Sequence, residues 1–116
     1  MNRAITVTEE SIECQVDDTA FLEVMGKSPV NKVLDFLIEN DDASWTMKDI
    51  SEGRNMGYST LKLLLPKMIE SNLILIDREI GKIKFYKINK DNDIVKYVYK
   101  IYNVIDEKVK QDFMNS

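Results

Sequence analysis

The sequence predicts a mainly helical α+β protein with one small antiparallel β-hairpin and a long C-terminal helix. Several segments repeat apolar residues at the three- and four-residue spacing of a helix with one buried face. Two apolar runs flank a short polar turn, which is the pattern of a hairpin. The segment 91–116 repeats apolar residues at heptad spacing. We therefore expect an N-terminal arm or short hairpin at 1–17, a domain at 18–90 and a final helix at 91–116.

The N-terminal arm carries the only cysteine of the chain, Cys14. Residues 4–16 alternate apolar and polar side chains, which predicts a short strand or hairpin. We interpret Cys14 as a small buried thiol, since a single cysteine cannot form an intrachain disulfide. The chain has no histidine, so it cannot assemble a zinc site from clustered cysteines and histidines or a histidine-dependent triad.

Two helices are predicted at the start of the domain. Asp18 or Thr19 caps a short helix that ends at Gly26. Ser28 followed by Pro29 begins the second helix, because proline at the first helical position lacks only an N–H that the helix does not use. The acidic run after residue 39 ends it. This second helix has an apolar face of Val30, Val33, Leu34, Leu37 and Ile38 and a polar face of Lys32, Asp35 and Glu39.

A short helix, a tight turn and a longer helix follow. Thr46 and Asp49 have the spacing of a capping box, which begins the short helix. After a turn at 54–57, the longer helix spans about 58–71 and contains Pro66, which predicts a kink because proline cannot donate a backbone hydrogen bond. The inward stripe of the longer helix is Leu61, Leu64 or Leu65, and Met68.

The hairpin and the final helix complete the predicted order. Residues 73–77 form one strand, residues 78–82 form the tip, and the returning strand begins at Ile83. Asp91 or Asn92 caps the final helix. One alternative is that this helix packs back on the N-terminal helices of its own domain. We favour a homodimer, because burying the apolar seam stabilises a pair of helices; the predicted dimer interface is Ile94, Val98, Ile101 and Ile105.

Charge is distributed unevenly along the chain. Residues 1–44 carry a net charge of −7, residues 45–90 a net charge of +4, and residues 91–116 a net charge of −1. A local excess of lysine and arginine can bind phosphate even when the whole chain is acidic. The middle third therefore favours a nucleic-acid partner. The alternative is a solvated surface with chance clustering.

Enzymatic activity and membrane insertion find no support in the sequence. The chain has no glycine-rich phosphate loop and no GxSxG motif, and nothing pairs its adjacent carboxylates with a nucleophile or a metal ligand. No apolar run approaches the roughly 20 residues that a bilayer requires. The start MNRAITVTEESIE has acidic residues where a signal peptide is apolar. We expect a cytoplasmic protein that is not an enzyme and holds no cofactor or metal.

The predicted order of helix, short helix, turn, helix and hairpin is that of a winged helix-turn-helix domain. The stretch FLEVMGKSPVNKVLDFLIEN resembles the opening of arsenic-repressor-like (ArsR/MarR-type) regulators. The stretch WTMKDISEGRNMGYSTLKLLLPKMIESNLI is similar to their helix-turn-helix and the start of their wing. The resemblance covers about residues 20–90, and the final helix matches in type only. It implies a DNA-binding transcription regulator, here without the clustered cysteine or histidine of the metal-sensing members.

The residues predicted to contact double-stranded DNA lie on three elements. A helix that enters the major groove exposes its N-terminal end and is supported from behind by an apolar stripe. The exposed end carries Tyr58, Ser59, Lys62 and Leu63, which suit phosphate, guanine edges and a thymine methyl group. The hairpin adds positive charge at Arg78, Lys82 and Lys84. The resemblance implies further phosphate contacts at Lys48 and Arg54.

Two features depart from the pattern of these regulators. Pro66 lies where they have a helix-forming residue, and the stretch LKLLL stands where they carry side chains that read bases. Both favour weak sequence discrimination or recognition of DNA shape. We expect a dimeric repressor, with the operator and any small-molecule or protein effector left open. The alternative is a winged helix that binds partner proteins and not DNA, which the acidic N-terminal third and the leucine-rich helix favour.

Overall fold

A computed structural model describes residues 18–115, so the predicted arm at 1–17, with Cys14, lies outside the described residues. The fold is mainly helical with a two-stranded antiparallel hairpin, which confirms the predicted α+β class. None of the helices within 18–115 combines the length and apolar character needed to cross a bilayer. In chain order the elements are α1 (Ala20–Met25), α2 (Pro29–Glu39), α3 (Met47–Arg54), α4 (Tyr58–Glu70), β1 (Ile74–Ile80), β2 (Ile83–Ile88) and α5 (Asp93–Asn115).

Helices α1, α2, α3 and α5 begin where the sequence places a cap. At Thr19, Ser28, Thr46 and Asn92, the side-chain oxygen accepts a hydrogen bond of 3.1–3.2 Å from the backbone N–H three residues on. The carboxylate of Asp49 accepts the N–H of Thr46 at 3.0 Å, which completes the predicted capping box. These local hydrogen bonds satisfy N–H groups that have no partner within the helix.

The main core forms around the apolar face of α2. Four of the five residues predicted for this face are buried, whereas Val30 is exposed. Phe36 is buried as well, and its ring meets the edge of Trp45 with the centroids 5.6 Å apart. Gly53 packs so closely on Phe36 that a Cβ there would overlap the ring. Helices α3 to α5, the turn between α3 and α4, and the hairpin contribute to the same cluster Ile50, Met56, Leu61, Leu65, Met68, Ile74, Tyr86, Ile88 and Val95.

Helix α4 runs without interruption through Pro66, which lies on its exposed side. The inward stripe is Leu61, Leu65 and Met68, as predicted, and Leu64 is partly buried beside it. Since the stripe holds α4 against α2 and α3, the other side of its N-terminal half is exposed within the described part of the chain. A kink at Pro66 stays a prediction.

The hairpin differs from the prediction in where it turns. The strands are longer than expected and pair up to Ile80 and Ile83, so the turn contains only Gly81 and Lys82. Gly81 has a φ of 62°, a left-handed conformation that glycine adopts without strain. Arg78, predicted at the tip, therefore lies within β1, directly after an irregularity in strand pairing. Residues 73–77 alone do not reveal this longer pairing, because the register of a hairpin depends on both strands.

Helix α5 packs on its own chain over part of the predicted dimer seam. Ile105 is 8% exposed and forms a second small cluster with Phe21 and Leu22 of α1, against which Val98 also packs. Ile94, in contrast, is 58% exposed. The four predicted residues therefore do not share one exposed face, because α1 lies across α5 and covers half of them. At Val98 and Ile105, α5 packs back on the N-terminal helices of its own chain, which is the alternative stated above.

Candidate nucleic-acid interface

Four of the nine residues predicted to contact DNA surround one concave surface. A cavity of about 630 Å³ opens between the start of α3, the start of α4 and the hairpin. Its rim and walls include Lys48 from α3, Tyr58 from α4, and Lys82 and Lys84 from the hairpin. Three elements that are distant in sequence thus bring three ammonium groups and a phenol to one place.

The start of α4 projects beside this cavity. Ser59, Lys62 and Leu63 are exposed along the same half of the helix, with Leu63 72% exposed. Gly57 caps α4 without a side-chain hydrogen bond to its first turn. The first N–H groups of this helix consequently remain available to an acceptor outside the helix, and they carry the positive end of its dipole. An anion such as a phosphate is stabilised at such an end.

The lysines of this surface are not ion-paired within the described residues, although Glu79 stands opposite Lys84 in the hairpin. No ion pair between residues within 18–115 involves Lys48, Lys62, Lys82 or Lys84. Other lysines of the basic middle third are neutralised: Lys87 pairs with Asp77 at 3.5 Å and Lys90 with Asp41 at 3.2 Å. Lys48, Lys62, Lys82 and Lys84 thus keep their positive charge unpaired within the described part of the chain.

Arg54 does not belong to this surface. Its side chain is 12% exposed, and its Nε and Nη2 atoms each lie 2.9 Å from the carboxylate of Asp35. Asp35, predicted on the polar face of α2, is completely buried and also accepts the hydroxyl of Thr19 at 2.8 Å. Burial raises the pKa of Asp35, while Thr19 and Arg54 oppose this rise. The predicted phosphate contact at Arg54 is replaced by an internal ion pair that joins α2 to α3.

Arg78 also lies apart from the cavity. Its guanidinium stacks on the ring of Phe85, 4.4 Å from the centroid. Since consecutive residues of a strand point to opposite faces, Phe85 faces away from Lys84 and Tyr86, which line the cavity. Arg78 thus adds positive charge to the other face of the hairpin.

A separate apolar groove lies between α1 and α5. It measures about 260 Å³ and is lined by Val24, Met25, Ile101 and Val104, with Lys100 at its side. Of the predicted dimer residues, Ile101 and Ile105 line this groove, and Ile94 lies exposed on the same helix. The apolar surface of α5 available to a partner is therefore displaced from the predicted seam toward α1.

Sequence reasoning missed Asp35 as a core residue and Met47, Ile83 and Tyr86 as cavity residues. Asp35 stands between Leu34 and Phe36 in an apolar run, which is the one local sign of its burial. The cavity residues carry no such sign, because they meet only when the hairpin folds against α3.

Scans against protein-family models, curated proteins and solved structures find no significant match to this chain.

Proposed function

We propose that this protein is a winged helix-turn-helix regulator that binds double-stranded DNA as a homodimer, as the sequence resemblance implies. One observation carries the proposal. Lys48, Lys82 and Lys84 meet beside the exposed start of α4, and none of them is ion-paired within the described part of the chain. Unpaired cations on a projecting surface are the arrangement that phosphate contact requires.

In this proposal α4 is the recognition helix and the hairpin is the wing. Ser59, Lys62 and Leu63 enter the major groove, where Leu63 contacts a thymine methyl group and Lys62 binds phosphate or guanine. The buried stripe of α4 supports the helix from behind. Lys82 and Lys84 bind the backbone or the minor groove next to it. Arg78 lies on the outer face of the wing and Arg54 takes no part.

Sequence discrimination is expected to be weak. The exposed half of α4 offers Lys62 as its only long basic side chain, with no arginine, asparagine or glutamine between residues 58 and 65. Bidentate contacts from those side chains are the main source of direct base readout. Contacts to phosphate and to DNA shape then dominate the affinity.

The homodimer is proposed to form through the exposed apolar surface of α1 and α5. Val24, Met25, Ile94 and Val104 are all exposed there and have no covering element in the described chain. Pairing two copies buries this surface and presents two α4 helices to two half-sites. A dimer of this kind in the cytoplasm represses transcription by occluding a promoter.

A second candidate function is a winged helix that binds a partner protein. The exposure of Leu63 on α4 and of Ile80 and Ile83 on the hairpin favours it. Surface of this type suits a protein interface more than a phosphate backbone. The unpaired lysines favour DNA, so salt dependence separates the two candidates.

The test is fluorescence anisotropy of a labelled mixed-sequence duplex at low and near-physiological salt. We expect affinity to fall steeply with salt, because each neutralised phosphate releases counterions. Lys82→Glu with Lys84→Glu should weaken binding by at least about tenfold on every sequence and reduce the salt slope by about 2. The matched control is Lys108→Glu with Lys110→Glu, which changes the charge equally on α5. Equal losses in both double variants, or no binding at low salt, refute the proposed interface.

A further inference from the structure

We propose that residues 4–8 of the N-terminal arm add a further strand to the hairpin by pairing with the open edge of β1 in the same chain. The arm then covers backbone groups through which β1 could otherwise pair with another molecule. The proposal concerns the sheet and does not depend on the proposed binding of DNA.

Hydrogen bonds on the far side of β2 show which backbone groups of β1 point outward. The N–H and C=O of Tyr86 bond to Trp45 at 2.7 and 2.8 Å, so Trp45 occupies the side of β2 opposite β1. Tyr86 is also the partner of Ile76 in the register of the hairpin. Two residues that face each other in an antiparallel pair direct their N–H and C=O groups either both toward or both away from each other. Ile76 therefore directs its N–H and C=O away from β2, toward the open edge of β1.

This edge is accessible and unpaired within the described residues. The side chains of residues 75–80 are all exposed, and Ile76 is 41% exposed. No backbone hydrogen bond between residues of 18–115 joins Ile76 to a segment outside the hairpin. An extended segment that adds to such an edge gains main-chain hydrogen bonds, and its alternate side chains pack beside those of the strand. Leu75 and Ile76 offer apolar contacts of this kind on the two faces of β1.

The arm contains a segment suited to this edge. Residues 5–8 read Ile-Thr-Val-Thr, four consecutive β-branched residues, which favour a strand. Residues 4–8 carry no charge, and Ile5 and Val7 would share one face of the added strand. A hairpin formed only by 4–8 and 12–16 would be marginally stable in water, because two strands alone bury too little. Addition to β1 joins the segment to a sheet that is already packed on the core.

The length of chain before α1 favours pairing within one molecule. Residues 9–17 span up to about 30 Å when extended, and the described structure measures 45 × 30 × 21 Å along its principal axes. The tether is therefore long enough to cross the shorter dimensions of the molecule. It also gives the segment an effective concentration on the order of millimolar at the edge. A second copy at micromolar concentration competes poorly with a tethered segment.

Amide hydrogen exchange in the full chain tests the pairing. We expect the Ile76 amide to exchange at least about tenfold more slowly in the wild type than in the double variant Thr6→Pro with Val7→Pro. Two consecutive prolines remove the donor that faces β1, whichever of the two residues supplies it. The matched control is Ser11→Pro with Ile12→Pro, which makes the same change outside the pairing segment. We expect it to leave the exchange of Ile76 unchanged.

The amide of Leu75 serves as an internal reference. Neighbouring residues of an antiparallel strand direct their N–H groups to opposite sides, so the Leu75 amide bonds within the hairpin. Its exchange should be the same in the wild type and in both proline variants, which shows that the hairpin is intact in each. Equal exchange of Ile76 in all three proteins overturns the proposal.

A nitroxide spin label separates pairing within one chain from pairing between copies. The label is attached to Ala4→Cys in a Cys14→Ser background, and it broadens the signals of nearby amides. We expect broadening at Ile76 when one molecule carries both the spin label and the isotope label, and no broadening when spin-labelled chains are mixed with isotope-labelled ones. Broadening at Ile76 in the mixed sample assigns the edge to a second copy, and broadening confined to other elements places the arm elsewhere. Either result overturns the proposal and leaves the proposed binding of DNA to its own test.

Discussion

Replacement of Arg54 by leucine is expected to destabilise the fold by about 3–5 kcal/mol, the range for removing one partner of a buried ion pair. Asp35 is completely buried, and Arg54 meets its carboxylate twice, through a hydrogen bond from Nε and an ion-pair contact from Nη2, both at 2.9 Å. Leucine removes both and leaves only the hydroxyl of Thr19 at 2.8 Å. The expected loss is a large part of the ~5–15 kcal/mol that typically stabilises a domain.

The destabilisation by Arg54→Leu should depend on pH. Burial raises the pKa of Asp35 in the folded protein above its ordinary value, so the folded state binds this proton more tightly than the unfolded state. Stability from such a group is present at low pH and is lost as pH rises through the folded-state pKa. Arg54 lowers the pKa of Asp35. Without Arg54, the folded-state pKa therefore rises further, and stability continues to fall at higher pH. The variant should therefore differ from the wild type less at about pH 4 than at about pH 7.

Urea unfolding followed by circular dichroism at both pH values measures these differences. The control is Asp35→Asn in the Arg54→Leu background, since a neutral amide can still accept the hydrogen bond from Thr19. We expect this double variant to recover most of the lost free energy of unfolding at neutral pH. A loss below about 1 kcal/mol in Arg54→Leu, or no recovery in the double variant, would show that the carboxylate is not buried as a charge.

Two further predictions concern packing and assembly. Gly53→Ala should destabilise by about 1–3 kcal/mol, because the new Cβ overlaps the ring of Phe36. Thermal unfolding checks it, with Gly57→Ala as the near-neutral control because a Cβ there meets only Ser59 at 4.0 Å. Val104→Asp should weaken self-association by at least about tenfold in sedimentation experiments, because it places a charge in the proposed apolar interface. Asn103→Asp, the same charge change on the neighbouring exposed residue, should leave self-association unchanged. A wild-type protein that stays monomeric at high concentration refutes the dimer.

The parts of the fold that were predictable are those that a few neighbouring residues determine. Thr46 and Asp49 form their capping box within one turn of helix, so no distant residue is needed to specify it. The Ser28–Pro29 start and the glycine end of α1 are local in the same sense. Helix order and the buried stripe of α4 followed from periodicity alone.

The errors arose where distant segments decide the outcome. Asp35 lies at a position of α2 that periodicity assigns to solvent, yet Arg54 and Thr19 reach it from other helices. Ile105 matches a heptad seam, but α1 covers it within the same chain. Half of the candidate DNA surface was predictable because lysines at helix starts and turns are usually exposed. The cavity was not, because its walls come from elements that local sequence does not bring together.

The Asp35–Arg54 pair connects the two surfaces on which the proposed function depends. Arg54 ends α3 directly before the turn into α4, and its Nη2 atom also lies 3.5 Å from Glu39. The other carboxylate oxygen of Glu39 accepts the hydroxyl of Tyr102 on α5 at 2.6 Å. Movement of α5 relative to α2 and α3 must therefore stretch or break these contacts. If the proposed dimer forms through α1 and α5, these contacts would help to hold its two α4 helices at a fixed separation, which regularly spaced half-sites on a duplex require.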